Sequence, residues 1–200
     1  MQALIVIDVQ NEFSPEGLRP VPGHAKILTA INGRVEEARE KGHPIAWIRH
    51  HNLPSESPAF VPGSWGAEFS PGFGPGLSLS QEREFQKNVY GAFTGTAIGS
   101  WLSGLGVREV LIAGFYTHGC VSTTSREAIM EGLEVMLDPD ATGACDMVHE
   151  RLGKLTADEV RRSALLHLVN MGACVLSGSR SKPEVDSYSD TIKEEREDHR

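Results

Sequence analysis

The chain is organised around the segment Val110-Leu-Ile-Ala-Gly-Phe-Tyr-Thr-His-Gly-Cys120-Val-Ser-Thr-Thr-Ser-Arg-Glu-Ala128. A short apolar run passes through a glycine-containing turn to a cysteine where a helical pattern begins. This order predicts a strand over 109–115, a corner at Cys120 and a helix over 121–131. The unpaired N–H groups and positive dipole end of a helix N-terminus favour a thiolate there. Because free cysteines are also common packing residues, position alone leaves a nucleophile and a packing role open.

The segments on either side alternate between strand and helix patterns. Apolar runs predict strands over 3–9, 44–49, 133–137 and 173–176, and apolar residues at helical spacing predict helices over 23–41, 96–105 and 156–171. Thr156-Ala-Asp-Glu159 has the form of a capping box for the last helix. This alternation predicts an α/β sandwich around a mainly parallel sheet.

Residues 50–86 break the alternation. They contain five prolines, many glycines and serines, and no sustained period, which predicts a long irregular loop. Loops of this length inside a compact domain usually form a lid or a binding surface, and a disordered linker is the alternative. Trp65, Phe69 and Phe73 favour an ordered loop, because a flexible linker has little use for large apolar groups.

Composition limits the class of protein. The 200 residues fit one domain, which we place at 1–178, followed by a polar tail at 179–200. The net charge of −8 argues against a nucleic-acid partner, because phosphate backbones are bound by clustered Lys and Arg. No apolar run is long enough to cross a membrane, and the N-terminus lacks the pattern of a secretory signal, so a cytoplasmic location is expected.

Three cysteines, Cys120, Cys145 and Cys174, are present without close pairs. An odd number with this spacing fits neither a disulfide framework nor a Cys-rich zinc site. Cys145 and Cys174 lack the strand-end setting of Cys120, and we expect them to be packing residues.

Two further polar residues occupy positions that could carry chemistry. Asp8 closes a buried strand at its carboxyl end, the edge at which ligands bind in such sheets. It is either a cap or a catalytic carboxylate, and the segment 10–13 that follows opens no helical pattern. Lys87 lies among apolar and aromatic residues. A solvated surface lysine is the alternative to a pocket residue there, and the neighbouring Asn88 and Tyr90 favour a pocket wall.

Together, three short motifs resemble the signatures of the isochorismatase-like cysteine hydrolases, a superfamily that includes nicotinamidases. They are Asp8 in Ile-Asp-Val-Gln-Asn-Glu-Phe13, Lys87 in Gln-Lys-Asn-Val-Tyr-Gly-Ala-Phe93 and Cys120 in Gly-Phe-Tyr-Thr-His-Gly-Cys-Val121. The similarity covers residues 1–178, with the motifs in the family's order. It implies a Rossmann-like three-layer fold with six parallel strands and an Asp–Lys–Cys triad.

The same resemblance implies a role for each residue. Cys120 would attack a carbonyl carbon, Asp8 would take the thiol proton and pass it to the leaving group, and Lys87 would stabilise both anions. A cis peptide bond is expected between Phe115 and Tyr116. The backbone N–H groups of Tyr116 and Cys120 would form the oxyanion hole.

Four residues are expected to contact the substrate by this resemblance: Gln10, Phe13, Trp65 and Tyr116. Trp65 belongs to Trp65-Gly-Ala67, which resembles the family's substrate-side loop motif, and an aromatic anchor for the long loop is an equal alternative. The resemblance also implies a small-molecule substrate and a homo-oligomer, either a dimer or a tetramer.

The reaction implied is hydrolysis of a small carboxamide or carbamoyl (ureido) compound through a thioester. Isochorismatases, which cleave a vinyl ether, are one alternative, since Gly-Phe-Tyr-Thr-His-Gly resembles their Gly-x-Tyr-Ala-His stretch. They lack a cysteine at the position of Cys120, which favours amide hydrolysis. The other alternative is a binding or scaffold protein without turnover.

Whether the chain has the metal ligands of nicotinamidases depends on the segment Arg49-His-His-Asn-Leu53. Nicotinamidases hold zinc or a related ion with Asp-x-His at the end of the second strand and a further His. Here His50 stands near the Asp position and Asn52 near the first His, without a carboxylate or second histidine to complete the pattern. The sequence therefore predicts no metal and no cofactor, and disfavours nicotinamidase activity. His50 or His51 is expected to line the pocket or cap the loop.

Overall fold

A six-stranded parallel sheet forms the centre of the structure, a computed structural model that describes residues 1–76 and 81–176. The strands are β1 (Gln2–Ile7), β2 (Ile45–His50), β3 (Glu82–Lys87), β4 (Glu109–Phe115), β5 (Glu134–Gly143), β6 (Met147–His149), β7 (Gly153–Leu155) and β8 (Cys174–Val175). The helices are α1 (His24–Glu40), α2 (Ile98–Gly104), α3 (Ser122–Met130) and α4 (Ala157–Asn170). The sheet order is β3-β2-β1-β4-β5-β8, and β6 and β7 form a separate antiparallel hairpin. The predicted α/β fold is confirmed, and the predicted tail at 179–200 lies outside the described residues.

Strands β1 and β4 occupy the middle of the sheet and are buried on both faces. Successive side chains of a strand point to opposite faces. Ala3, Ile5 and Ile7 therefore join one apolar cluster with residues of α2, α3 and α4, whereas Leu4 and Val6 join another with residues of α1. Within the described residues this arrangement gives three layers, with α1 on one face of the sheet and α2, α3 and α4 on the other.

Gly114 allows β4 to approach β1 closely near its carboxyl end. Its φ is +126°, and a Cβ at this position would overlap the carbonyl oxygen of Ile7. The Gly114 carbonyl accepts a hydrogen bond of 2.9 Å from the Thr142 hydroxyl, in a part of β5 that follows a shift in register. As a result, the chain that leaves β4 passes directly beside the end of β1.

Strand β3 corrects the prediction that residues 50–86 form one irregular loop. It lies at the edge of the sheet, parallel to β2, with Lys87 opposite His50. An edge strand has one exposed side, so Glu82-Arg-Glu-Phe-Gln-Lys87 carries alternating charges instead of an apolar run. Its inward positions, Phe85 and Lys87, are buried.

The predicted capping box is present at the start of α4. The Glu159 carboxylate accepts the Thr156 N–H at 2.8 Å, and the Thr156 hydroxyl accepts the Glu159 N–H at 3.4 Å.

The packing role expected of Cys174 is wrong, because this residue lies exposed on the short edge strand β8, and Cys145 is only partly buried. In the described part of the chain no helix has the length and apolarity to cross a membrane.

Candidate active site

Three side chains meet at the carboxyl edge of the sheet. Asp8 follows β1, Lys87 ends β3, and Cys120 lies in the turn between β4 and α3. The Lys87 Nζ is 2.8 Å from Asp8 Oδ2 and 3.2 Å from Cys120 Sγ. All three residues are at most 8% exposed. Residues far apart in sequence are thus joined in one buried cluster around an ammonium group.

Asp8 is held by the backbone in an unusual conformation. Its φ of +50° lies in the left-handed region, which a non-glycine residue adopts only where its surroundings enforce it. The Asp8 N–H donates to the Ile48 carbonyl at 3.0 Å, and the Asp8 carbonyl accepts from the Gln10 N–H at 2.8 Å. Oδ2 bonds Lys87, whereas the buried Oδ1 receives no hydrogen bond from residues 1–76 or 81–176. Asp8 therefore has one oxygen free to accept a proton.

Cys120 lies in a short π-helical segment, Thr117–Val121, that leads into α3. The Tyr116 carbonyl accepts the N–H groups of Gly119 at 3.0 Å and Val121 at 3.1 Å. The peptide bond between Phe115 and Tyr116 is cis, as the resemblance implied. The turn places the Cys120 thiol at the junction of strand and helix, facing the end of β1.

The electrostatic setting keeps the proton on the thiol at rest. Burial raises the pKa of Cys120, the Asp8 carboxylate raises it further, and the Lys87 ammonium opposes both without cancelling them. Burial also lowers the pKa of Lys87, but its interactions with Asp8 and Cys120 outweigh that effect and hold the pKa above its usual value. The cluster is thus a thiol and an ammonium beside a carboxylate with a free oxygen.

A cavity of about 370 Å³ opens onto this cluster. Its wall contains Asp8, Phe13, Arg19, His50, Asn52, Glu56, Ser57, Phe60, Asn88, Val89, Tyr90, Tyr116, Gly119 and Cys120. Two of the four predicted substrate contacts, Phe13 and Tyr116, are in this wall, as are Asn88 and Tyr90. The rings of Phe13 and Tyr116 pack edge to face with centroids 4.8 Å apart, which forms an aromatic surface beside the thiol.

Gln10 and Trp65, the other two predicted substrate contacts, lie outside the cavity wall. The Gln10 amide is buried and used internally, because it donates to the carbonyls of His50 and Ala67 and accepts the His50 N–H. Trp65 is 53% exposed, and its carbonyl accepts from Asn11. Gln10 thus ties the end of β2 to the loop, and the Trp65 ring lies on the surface of this chain.

Several residues of the cavity wall were not anticipated, Arg19 and Phe60 among them. Arg19 has its N–H bonded to the Glu12 carbonyl at 3.0 Å and its own carbonyl bonded to the Tyr116 hydroxyl at 2.8 Å. Phe60 is buried against Phe13, with ring centroids 5.2 Å apart. Both come from loops without a hydrophobic period, so the only sequence signal for either residue is the aromatic side chain of Phe60.

Known proteins resemble most of this chain in both sequence and fold. The nicotinamidase/pyrazinamidase of Mycobacterium tuberculosis is 32% identical over 84% of this chain and 98% of its own length. The crystal structure of an isochorismatase from Pseudomonas putida KT2440 has a TM-score of 0.79 at 29% identity and covers 87% of this chain and 86% of that one. The pyrazinamidase of Pyrococcus horikoshii, solved with zinc, has a TM-score of 0.75 at 28% identity over 88% of this chain and 99% of that one.

The residues of this chain do not fit a zinc site of the kind that the resemblance implies. His50 and Asn52 stand at the matching positions, but His50 Nε2 and Asn52 Oδ1 bond each other at 2.8 Å. The other ring nitrogen of His50 is 3.2 Å from Lys87 Nζ. Asp8, His50 and Cys120 do have ligand atoms within 4.8 Å of one another, but these atoms surround the Lys87 ammonium. The cation in this cluster is the Lys87 ammonium.

The matched domain extends over almost all of the described chain. Residues 2–177 match the isochorismatase domain family, in agreement with the parallel sheet and with the relatives named above. The protein therefore belongs to the isochorismatase family and is a hydrolase.

Proposed function

We propose that this protein hydrolyses a small carboxamide or carbamoyl (ureido) compound through a thioester on Cys120. One observation carries the proposal: the Lys87 ammonium bonds both the Asp8 carboxylate and the Cys120 sulfur at the floor of a cavity. A nucleophile beside a base, with the pair oriented by a third group, is the arrangement that covalent catalysis needs.

Acylation begins with the thiol protonated. The free Oδ1 of Asp8 takes the thiol proton as Sγ attacks the carbonyl carbon of the substrate, so that thiolate character appears only during attack. Lys87 stabilises the negative charge that moves from Asp8 to sulfur. The backbone N–H groups of Tyr116 and Cys120, both from the cavity wall, serve as the oxyanion hole. Asp8 then returns the proton to the leaving nitrogen, and ammonia departs.

Deacylation repeats these roles with water. Asp8 removes a proton from a water molecule that attacks the thioester carbonyl, and the C–S bond breaks. The sulfur recovers the proton, and the acid leaves. The sum is one amide and one water converted to one acid and one ammonia. Lys87 remains an ammonium throughout, which agrees with its raised pKa.

An amide is favoured over a vinyl ether by the buried thiol itself. Cleavage of a vinyl ether gives Cys120 no nucleophilic role, whereas amide hydrolysis uses all three residues of the cluster. The nicotinamidase/pyrazinamidase among the relatives supports amide chemistry in this family. The cavity of about 370 Å³ admits only a small molecule.

The test is ammonia release from a panel of small primary amides and ureido acids. We expect turnover by the wild type, loss to background for Cys120→Ala, and wild-type turnover for Cys174→Ala, a matched cysteine exposed on β8. Intact-mass spectrometry should detect an acyl adduct on the wild type but none on Cys120→Ala. Equal turnover by Cys120→Ala and the wild type would rule out the proposal.

Assembly stays a prediction of the family resemblance. We propose a homo-oligomer, and sedimentation velocity at micromolar concentration measures it. A single monomeric species over that range would contradict the prediction.

A further inference from the structure

His50, at the end of β2, lies between Lys87 and Asn52. Its Nδ1 is 3.2 Å from Lys87 Nζ, and its Nε2 is 2.8 Å from Asn52 Oδ1. The ring is partly buried and meets Phe60 edge to face, with centroids 5.3 Å apart. Both nitrogens therefore have a polar partner, and the ring is held from the side by an aromatic group.

The partners of Asn52 determine where the His50 proton lies. The Asn52 Nδ2 donates to the Ala59 carbonyl at 3.1 Å, and a carbonyl can only accept. The Asn52 oxygen must then face His50, so Nε2 of the ring carries the hydrogen. This leaves a lone pair on Nδ1, opposite an ammonium that can only donate. The network has one consistent assignment, a neutral imidazole with its proton on Nε2.

The Lys87 ammonium is fully used in this arrangement. It has three N–H donors. Among the residues that the structure describes, it has three acceptors: Asp8 Oδ2 at 2.8 Å, Cys120 Sγ at 3.2 Å and His50 Nδ1 at 3.2 Å. A buried ammonium that loses one acceptor carries an unpaired donor and can rotate or shift, which would loosen its contacts with the carboxylate and the sulfur.

We propose that His50 is a positioning residue: as a neutral imidazole it accepts the third N–H of Lys87, and Asn52 holds it in the tautomer that can do so. His50 thereby fixes the ammonium between Asp8 and Cys120. This inference rests on the proposed function for its kinetic consequences, but its structural content can be measured without a substrate.

Protonation of His50 would destroy the arrangement. The groups that face or flank the ring are the Lys87 ammonium on β3, the Asp8 carboxylate after β1, the Cys120 thiol before α3 and the neighbouring His51. Burial, followed by the charge on Lys87, lowers the pKa of His50 from 6.5. An imidazolium would place a second cation against the ammonium. Activity should therefore fall with acid only below the ordinary histidine range.

The first experiment records the tautomer directly. Nitrogen-15 NMR of histidine-labelled protein at pH 7.5, with His50 identified by its absence from the His50→Gln spectrum, should show a neutral ring protonated on Nε2. A ring protonated on Nδ1, or an imidazolium, would overturn the proposal. Zinc added to metal-free protein should leave the His50 signals in place, and a zinc-dependent shift of those signals would overturn it as well.

The second experiment separates positioning from folding. His50→Ala should lower kcat roughly tenfold, the effect of one lost hydrogen bond to a charged group, while KM stays within about twofold. His50→Gln, whose amide oxygen can accept from Lys87, should recover part of the loss. His51→Ala is the matched control and should retain wild-type kcat, because His51 is outside the cavity wall. An unchanged kcat for His50→Ala would overturn the proposal.

The third experiment uses Asn52→Asp. A carboxylate opposite Nε2 favours the imidazolium, so the acidic limb of the kcat/KM profile should move to higher pH by about one unit or more. An unmoved limb would overturn the role of Asn52. If the wild type releases no ammonia from any member of the panel, the proposed function fails, and the NMR experiment still decides the state of His50.

Discussion

Two buried carboxylates follow β1, and their surroundings differ. Asp8 bonds the Lys87 ammonium through one oxygen, and its buried second oxygen has no hydrogen-bond partner in the part of the chain that the structure describes. Glu12 accepts the backbone N–H of Leu18 at 2.9 Å through one oxygen and that of Phe60 at 3.0 Å through the other. The bonding capacity of Glu12 is thus used in holding two loops of the cavity wall, whereas Asp8 has capacity left for a proton. In the mechanism proposed above Asp8 carries a proton, whereas Glu12 holds the loops of the cavity wall in place.

The largest expected effect is that of Asp8→Asn on activity. The amide keeps the shape of the side chain but cannot take the thiol proton, so kcat/KM for ammonia release should fall roughly 10²–10⁴-fold. Circular dichroism should show that the variant is folded.

Asp138→Asn is the matched control for that experiment. Asp138 is also a buried carboxylate paired with a cation, with Arg34 Nε at 2.8 Å, but it is outside the cavity wall. It should lose stability and keep its activity. If Asp8→Asn retained more than about a tenth of wild-type kcat/KM, the division between the two carboxylates would be wrong.

Glu12→Gln should lower the stability of the fold and leave activity nearly unchanged, the reverse of the pattern expected for Asp8→Asn. One end of the glutamine side chain must present N–H groups to a backbone N–H, so a hydrogen bond becomes a contact between donors. We expect the free energy of unfolding to fall by about 1–3 kcal/mol, measured by urea denaturation. The folded fraction should keep kcat close to the wild type. A loss of kcat without a loss of stability would place Glu12 in the chemistry.

The sequence predicted the surroundings of Asp8 better than it predicted the loops that Glu12 holds. The run before Asp8 is apolar because β1 is buried on both faces, so the strand and its carboxyl end were evident. The motif around Cys120 likewise indicated a strand followed by a helix. Lys87 was recognised from its motif although β3 was not, because an edge strand with alternating charges has no apolar run.

The cavity wall was harder to predict, since it is built by loops with no period. Gln10 and Trp65 were expected at the substrate, but a polar residue after a strand can equally bond neighbouring backbone, as Gln10 does. His50 was left between two roles, because its state depends on the partners of Asn52, which only the folded chain brings together. Such contacts depend on side-chain orientation rather than on sequence pattern.

A side chain added at Gly66 would show how tightly the loops are packed on Glu12. A Cβ on Gly66 would lie 2.6 Å from both oxygens of the Glu12 carboxylate, which its two hydrogen bonds prevent from moving freely. Gly66→Ala should therefore lower the free energy of unfolding by about 1–3 kcal/mol. The matched control is Gly33→Ala in α1, where a Cβ meets open space, and it should raise stability by about 0.5–1 kcal/mol. Equal thermal midpoints for the two variants would contradict the packing argument.

A loss of stability in alkali is expected of the Asp8 cluster and not of the Glu12 carboxylate. The pKa of Cys120 is raised from 9.0, so the folded thiol keeps its proton above pH 9 while the unfolded thiol ionises. The stabilisation is complete below the unfolded pKa and is lost as pH rises towards the folded value, by about 1.4 kcal/mol at pH 10. Urea denaturation at pH 7.5 and pH 10 should show a larger decline for the wild type than for Cys120→Ala. Glu12→Gln should decline as the wild type does, because its loops do not contain the titrating group; identical declines in all three proteins would mean that the buried thiol is not the source.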